Sequence, residues 1–504
     1  MKVCSLYGDG FYYIPGTQTC MKFGGFLRTE WDVDAGGSFT TFTNGQNAQY
    51  YRSGDQLTTR ARGVLTMDVR EQTSYGTLRA YIAAGWNYTS NDSPTLSLPG
   101  TQVAVTGGAA AAAQAGAGNS NAYLLRAFIQ LGGFTFGKTA SFYDFFNTSK
   151  YTYQTNFIYQ DYAGVGVNTY GYTQQLGNGI AATVAVQDNT FFAHPIIDVS
   201  NGGVTQSFPN VTAGGPNNDA WQNAGFLVPD IVFNVRLDQA WGGAQVAAIL
   251  HDNRARYYNT GAGTGRTVNG LAAGVAHPDD KWGFAVSGGL ELNLPWAKGD
   301  TWAVQSQYCV GDAESCYDNS GSRSADLAWS TINNNNRIGL GWLDDAYFAN
   351  TAATGATGQQ LSTAWNIFTA IQHYWVPNVR TSLYGGYVQF KANSSAVDTL
   401  VCAPLNAGHT VPGTTLTATA GAVSASGCAD WAAWQIGSRT IWNPVRNLDV
   451  GVEALYTDLS KSAFSGASAT FAPGSTNQAV NPTFTSGSVH VWSGILRVQY
   501  NFYP

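Results

Sequence analysis

The residues best suited to do chemistry are six arginines in the first quarter of the chain: Arg28, Arg60, Arg62, Arg70, Arg79 and Arg126. Arg60, Arg62 and Arg70 share one parity with Thr58, Thr66 and Asp68, while Ala61, Gly63, Leu65, Met67 and Val69 take the alternate positions. On an extended strand, successive side chains point to opposite faces, so the guanidinium groups fall on one polar side and the aliphatic groups on the other. Arg28, Arg79 and Arg126 hold polar positions in similar neighbouring segments. A guanidinium keeps its charge at any working pH and tolerates crowding better than an ammonium. Such a row makes and breaks no bonds. It creates a field that orients dipolar solutes and separates anions from cations. Two plainer readings stand beside this one: Arg62, Arg70 and Arg79 pair with Asp68 or Glu71 across adjacent strands, and Arg60 and Arg126 solvate a rim.

A second group lies at 141–166. It holds Asp144 and Asp161 among Phe142, Tyr143, Phe145, Phe146, Tyr151, Tyr153, Phe157, Tyr159 and Tyr162. Packed against a wall, the aromatics would fix the segment and the acids would face the arginines; alternatively the aromatics would form a contact between subunits. Elsewhere the chemistry is thin. His251-Asp252 with Arg254 and Arg256 falls at a strand-to-loop edge, where a solvated rim is expected. His277, Asp279 and Asp280 fall in a loop, Glu291 lies on a strand, and Asn210-Val211-Thr212 fits a glycosylation sequon. Asp449 and Glu453 share a strand face, which is a common spacing. No G-x-S-x-G, H-E-x-x-H or P-loop occurs. The expectation is therefore a non-enzyme with no cofactor and no metal.

The six cysteines, Cys4, Cys20, Cys309, Cys316, Cys402 and Cys428, contain no C-x-x-C, which argues against zinc. Six cysteines allow about 15 pairings. Nearness in sequence is the one argument for Cys4–Cys20, Cys309–Cys316 and Cys402–Cys428, and local disulfides fit an oxidising compartment. Met1-Lys2-Val3 leads directly into Cys4 without the apolar stretch that export requires, so the mature form of an exported protein, with an added initiator Met, is expected.

The elements that position these residues follow from composition. Only 11% of the 504 residues are charged, against roughly 25% in an ordinary soluble domain. Aromatics reach 13%, glycine counts 59, and the mean hydropathy is −0.14. No run of about 20 apolar residues marks a membrane helix; the stretch 107–118 is short, weakly apolar and interrupted by Gln114. Scarce charge without bulk hydrophobicity fits a transmembrane β-barrel, in which only alternate residues meet lipid. A net charge of −6 argues against nucleic acid as a partner.

The alternation is explicit near the end of the chain. Trp492, Gly494, Leu496, Val498, Tyr500 and Phe502 form one face, and Ser493, Ile495, Arg497, Gln499 and Asn501 the other. The same pattern recurs from Leu448 to Tyr456, from Leu78 to Tyr88, from Lys22 to Trp31 and from Tyr123 to Leu131. Sixteen strands are predicted: 21–33, 57–70, 76–89, 121–132, 134–140, 166–176, 178–188, 226–238, 240–251, 281–293, 300–311, 361–375, 379–391, 430–443, 447–458 and 487–503. Short turns alternate with long segments rich in Gly, Asn, Ser and Thr, as in outer-membrane barrels. The predicted architecture is all-β, a 16-stranded transmembrane antiparallel β-barrel forming one domain over 1–504. It comprises a disulfide-closed segment at 1–20, the barrel at 21–503 and a constriction loop at about 141–166.

The opening Cys4-Ser5-Leu6-Tyr7-Gly8-Asp9-Gly10-Phe11-Tyr12-Tyr13-Ile14-Pro15-Gly16-Thr17-Gln18-Thr19-Cys20, with Met21-Lys22-Phe23-Gly24-Gly25 after it, resembles the mature N-terminus of the alphaproteobacterial outer-membrane porins. Ala127-Phe128-Ile129-Gln130-Leu131-Gly132-Gly133, His373-Tyr374-Trp375-Val376-Pro377-Asn378, Gly437-Ser438-Arg439-Thr440 and Trp442-Asn443-Pro444-Val445 are similar too. The resemblance implies a homotrimer in outer-membrane lipid with one pore per protomer, and a third loop folded into the lumen. On this reading, small hydrophilic solutes and ions diffuse passively through water. The arginines and Asp144 or Asp161 would then face each other across a constriction. A substrate-specific channel is the alternative, and would show an aromatic slide along the lumen.

Overall fold

The computed structural model describes residues 4–33, 57–89, 119–146, 148–153, 166–188, 193–201, 222–258, 267–268, 271–272, 276–317, 327–333, 337–351, 353–411, 416–470 and 483–502. Sixteen long strands carry the fold: β1 (Cys20–Val33), β2 (Leu57–Thr73), β3 (Gly76–Thr89), β4 (Asn119–Leu131), β5 (Phe134–Thr139), β6 (Val167–Gly177), β7 (Ile180–Gln187) and β8 (Asp230–Gln239), then β9 (Gly242–Asn253), β10 (Lys281–Asn293), β11 (Thr301–Val310), β12 (Thr363–Val376), β13 (Val379–Lys391), β14 (Trp431–Trp442), β15 (Leu448–Lys461) and β16 (Val489–Asn501). Each pairs antiparallel with the next, and β16 pairs with β1 through Phe26–Val33, so the sheet closes. Closure leaves no edge strand to be satisfied in a bilayer.

Odd-to-even connections between strands are long and even-to-odd ones, from β2–β3 onward, are short, giving the barrel a loop end and a turn end. The turn between β6 and β7 shows why these sequences reverse the chain. Asn178 and Gly179 both take positive φ, 51° and 76°. That pair of left-handed residues matches the twist of the strands it joins. A Cβ at Gly179 would stand 2.0 Å from the Asp238 carbonyl oxygen, so no larger residue fits.

The alternation sorts oil from water. On β16, Trp492, Leu496 and Tyr500 are 59%, 44% and 48% exposed, whereas Ser493, Ile495 and Arg497 are buried inside. Aromatic side chains cluster at the loop end, with Trp434, Tyr456 and Trp492 in ring contact, and at the turn end, with Phe134 against Tyr172. Aromatic belts of this kind sit at the two lipid–water interfaces.

One strand breaks the predicted alternation. In β4 the register against β3 shifts at Leu125: Ala83 pairs with Arg126, but Ala84 pairs with Leu124. This β-bulge reverses the parity of everything before it. Tyr123, expected on the same face as Leu125 and Ala127, instead pairs with Gly85 and lies over it, inside the barrel.

The three expected disulfides form, with Cα–Cα separations of 5.7 Å for Cys4–Cys20, 6.0 Å for Cys309–Cys316 and 5.5 Å for Cys402–Cys428. The first holds a segment at the turn end, where Tyr12–Tyr13 pairs with β1. The other two staple a roof at the loop end. In that roof the segment Arg337–Trp342 packs on the inward side of β15 and β16, where a Cβ at Gly339 would meet Val489 at 2.3 Å and Leu459 at 2.8 Å. The chain then passes β14, where Trp431 Nε1 donates to the Trp342 carbonyl at 2.7 Å. It reaches the loop after β7, where Ala346–Phe348 pairs in parallel with Ile196–Asp198. The sixth loop thus crosses the mouth as a chord. Beneath it His251, expected at a solvated rim, is buried with Nδ1 2.9 Å from Asp230 and Nε2 3.8 Å from Asp345.

Candidate permeation pathway

The third loop leaves β5 and turns into the lumen. Ser141 donates to Gln187 of β7 at 2.7 Å. Asn234 of β8 donates to the Phe142 carbonyl at 2.5 Å. Gln245 of β9 reaches the carbonyls of Tyr143 and Asp144 at 3.1 and 3.0 Å. Phe145 sits on Gly289 of β10, where a Cβ would approach its ring to 2.4 Å. Lys150 pairs with Glu291 at 2.6 Å, and the Tyr151 hydroxyl contacts Glu291 at 3.0 Å. Phe146 packs near Phe368 of β12. The described part ends on Glu453 of β15, which accepts from the Thr152 hydroxyl at 3.0 Å and the Tyr153 amide at 2.7 Å. Arg439 of β14 donates to the carbonyls of Ser149 and Lys150. The loop therefore lies along the wall from β7 to β15, and its aromatics anchor it there rather than facing a neighbouring subunit.

The wall that the described residues of the loop reach only through Tyr153 is basic. Pairing aligns Arg497 of β16, Glu30 of β1 and Arg60 of β2 in one inward tier, and Gln499, Arg28, Arg62 and Asn87 in the tier beside it. Glu30 is fully buried; its Oε2 takes Arg60 at 2.6 Å and its Oε1 takes Arg497 Nε at 2.6 Å. Arg28 reaches Glu30 at 3.9 Å and donates to Gln499 at 2.7 Å. The Tyr153 ring of the third loop meets this wall, with the Arg497 guanidinium 3.6 Å and that of Arg439 4.6 Å from its centroid.

Of the arginines singled out from sequence, Arg28, Arg60 and Arg62 come together around Glu30, while Arg126 of β4 has Asp144, Tyr81 and Lys138 as its neighbours. Arg70 and Arg79 stand apart, near the turn end, sharing Asp68 at 2.8 and 2.9 Å. Tyr7 and Phe11 of the N-terminal segment flank Arg70 at 5.8 and 4.9 Å. Asp144 is half-buried with its Oδ1 shielded from solvent, and loss of water around it pushes its carboxyl up to about 8, against the pull of Arg126. Asp161 lies outside the described residues, as do Phe157, Tyr159, Tyr162 and the Asn210 sequon. Glu30, Arg497 and Arg439 were not among the candidates, Glu453 was singled out only beside Asp449 on a strand face, and Tyr123 was not a candidate either. The first four sit on the polar face of an alternating strand, which is a signal present in the sequence. The inward turn of Tyr123 depends on a bulge that has none.

Apolar outside, polar within, and partly crossed by its own loop, this barrel is a membrane channel. The chain belongs to the porin subfamily, which it matches over residues 1–489. It is 26% identical over 308 residues to the porin Omp2b of Brucella suis, an alignment covering 58% of this chain and 71% of that one. With the porin Omp2a of Brucella ovis the identity is 31% over 195 residues, covering 37% of this chain and 49% of that one. The outer membrane channel DcaP of Acinetobacter baumannii shares the fold, with a TM-score of 0.54 and 13% identity over 97% of this chain and 99% of that one. As an alphaproteobacterial-type porin, the protein is an outer-membrane channel for passive diffusion of small hydrophilic solutes, and a channel rather than an enzyme.

Proposed function

We propose that this is a general diffusion porin whose narrowest passage lies between the third loop and the wall from β16 to β4. Arg28, Arg60, Arg62 and Arg126 line that passage, and Arg70 and Arg79 line the mouth at the turn end. Asp144 acts on the passage from beneath, through Arg126 rather than as an exposed acid. The observation that carries this reading is the placement of the described residues between Ser141 and Tyr153 along the opposite wall, away from most of the basic side. A general channel fits the lining better than a specific one: the inward aromatics Phe368 and Tyr384 pack in a buried cluster with Tyr151 and Phe146 instead of forming an open slide. In a bilayer, current should rise in steps and stay linear in KCl concentration; saturating flux of one sugar would favour a specific channel.

We further propose a homotrimer. The outer face of β1–β4 carries the small residues Ala61, Gly63 and Ala122 beside Leu27 and Trp86, forming a shallow apolar groove that a second copy would fill. Light scattering of the detergent-extracted protein tests it, and a monomer at all detergent concentrations would refute it.

A further inference from the structure

Two neighbouring side chains of the basic wall each carry a buried donor with no hydrogen-bond partner among the described residues: Arg62 Nε and Tyr123 Oη. They belong to neighbours, since the Arg62 guanidinium lies 5.4 Å from the centroid of the Tyr123 ring. Both atoms are donors, and both lack an acceptor. The acid that acts on Arg62 is already committed. Glu30 gives one oxygen to Arg60 and the other to Arg497, each at 2.6 Å. Asp32, the next inward acid on β1, is fully buried. Arg28 stands directly opposite Arg62 across the β1–β2 pair. Like charges in that position repel unless an anion lies between them. An oxygen acceptor carrying negative charge would satisfy both donors and offset the repulsion between the two guanidinium groups.

We propose that Arg28, Arg62 and Tyr123 form a binding site for oxyanions, taking the carboxylate or phosphate group of a permeating solute. The proposal rests on the channel reading above and adds the class of solute. Two planar guanidinium groups supply paired N–H donors that match an oxyanion's edge. The Tyr123 hydroxyl donates a further hydrogen bond, and its ring braces Arg62. A neutral sugar would satisfy the donors but not the charge. Arg28 keeps 14% of its side-chain surface exposed, so a solute can reach the site and leave it.

The test uses the full-length protein in a planar bilayer. Under a KCl gradient the reversal potential should take the sign of a chloride-preferring channel. Inorganic phosphate or acetate added to one side should lower the chloride current saturably. Tyr123→Phe and Arg62→Gln should each weaken phosphate inhibition roughly tenfold, the loss expected for a hydrogen bond to a charged group. Arg62→Gln should also move the reversal potential toward zero. Arg254→Gln, in the exposed pair with Asp280, should leave phosphate inhibition unchanged. Heat-modifiable gel mobility reports the folding of each variant, and Tyr123→Phe, losing one hydroxyl, keeps the test informative if Arg62→Gln misfolds. A cation-preferring reversal potential, or inhibition unaltered in both variants, overturns the site and leaves the channel standing. A silent bilayer overturns the channel reading, and the site with it.

Discussion

The wall from β16 through β1 to β4 and the wall from β8 to β15 are made of the same alternating strands, yet they do different work. The first presents four guanidinium groups around Glu30 and, in the proposed channel, faces the passage. The second is lined by buried amides such as Gln245, Gln307, Asn366 and Gln435, and is covered by the third loop and the roof. Its charges are matched in pairs: Arg236 with Asp238, Lys150 with Glu291, Arg380 with Asp449. Strand alternation alone separates a wet face from an oily one. Which part of the wet face meets a solute is decided by where the loops pack.

The sharpest way to break this contrast is to remove the acid on the basic wall. Glu30→Gln leaves Arg60 and Arg497 without their buried partner. Loss of one member of a buried ion pair costs about 3–5 kcal/mol, so thermal unfolding of the barrel should fall by many degrees; an unchanged midpoint would show that the wall does not depend on Glu30. Next in size is the covered side. Replacing Cys402 and Cys428 by Ser opens a closed loop of sequence separation 26, for which about 2–4 kcal/mol is usual. The loss should appear as faster amide exchange in the roof while ion preference stays put; a changed preference would mean the roof takes part in selection. Gly289→Val pushes Phe145 off its seat at about 1–3 kcal/mol. It should raise single-channel conductance or noise, and identical traces would detach the third loop from the passage.

The smallest effect is a pH dependence. Burial raises the Asp144 carboxyl to about 8, above its unfolded value, so the folded loop prefers the protonated acid. Stability from this group is fully present below the ordinary carboxylate range and is lost as pH rises through about 8. Current noise from the third loop should therefore grow between neutral and alkaline pH, and Asp144→Asn should flatten the trend. Noise that grows on acidification instead would reverse the assignment.

Much of this was legible in the residues. Each predicted strand has its counterpart, from 21–33 against Cys20–Val33 to 487–503 against Val489–Asn501. Period-2 alternation survives over such spans because lipid tolerates no lapse on the outer face. The polar parity of Arg28, Arg60 and Arg62 carried over for the same reason. What was not legible involved contacts between distant segments. Arg497 and Glu30 are 467 residues apart and meet only because the barrel closes. Arg70 and Arg79 share the parity of the central arginines but sit nearer the tight turn, so Asp68 takes both. Parity gives a face, not a height or a partner. The β4 bulge displaced Tyr123 because one extra residue reverses a period of two without leaving a mark in composition.

The sequence by itself determined which side chains meet oil and which meet water, since that choice is made residue by residue by the spacing of apolar groups along each strand. Closure of the sheet and the inward packing of the third and sixth loops decided which of the wet side chains stand beside an open passage. Those contacts join residues hundreds of positions apart, and their energies depend on seats such as the one Phe145 occupies over Gly289, which exist only once the barrel has formed.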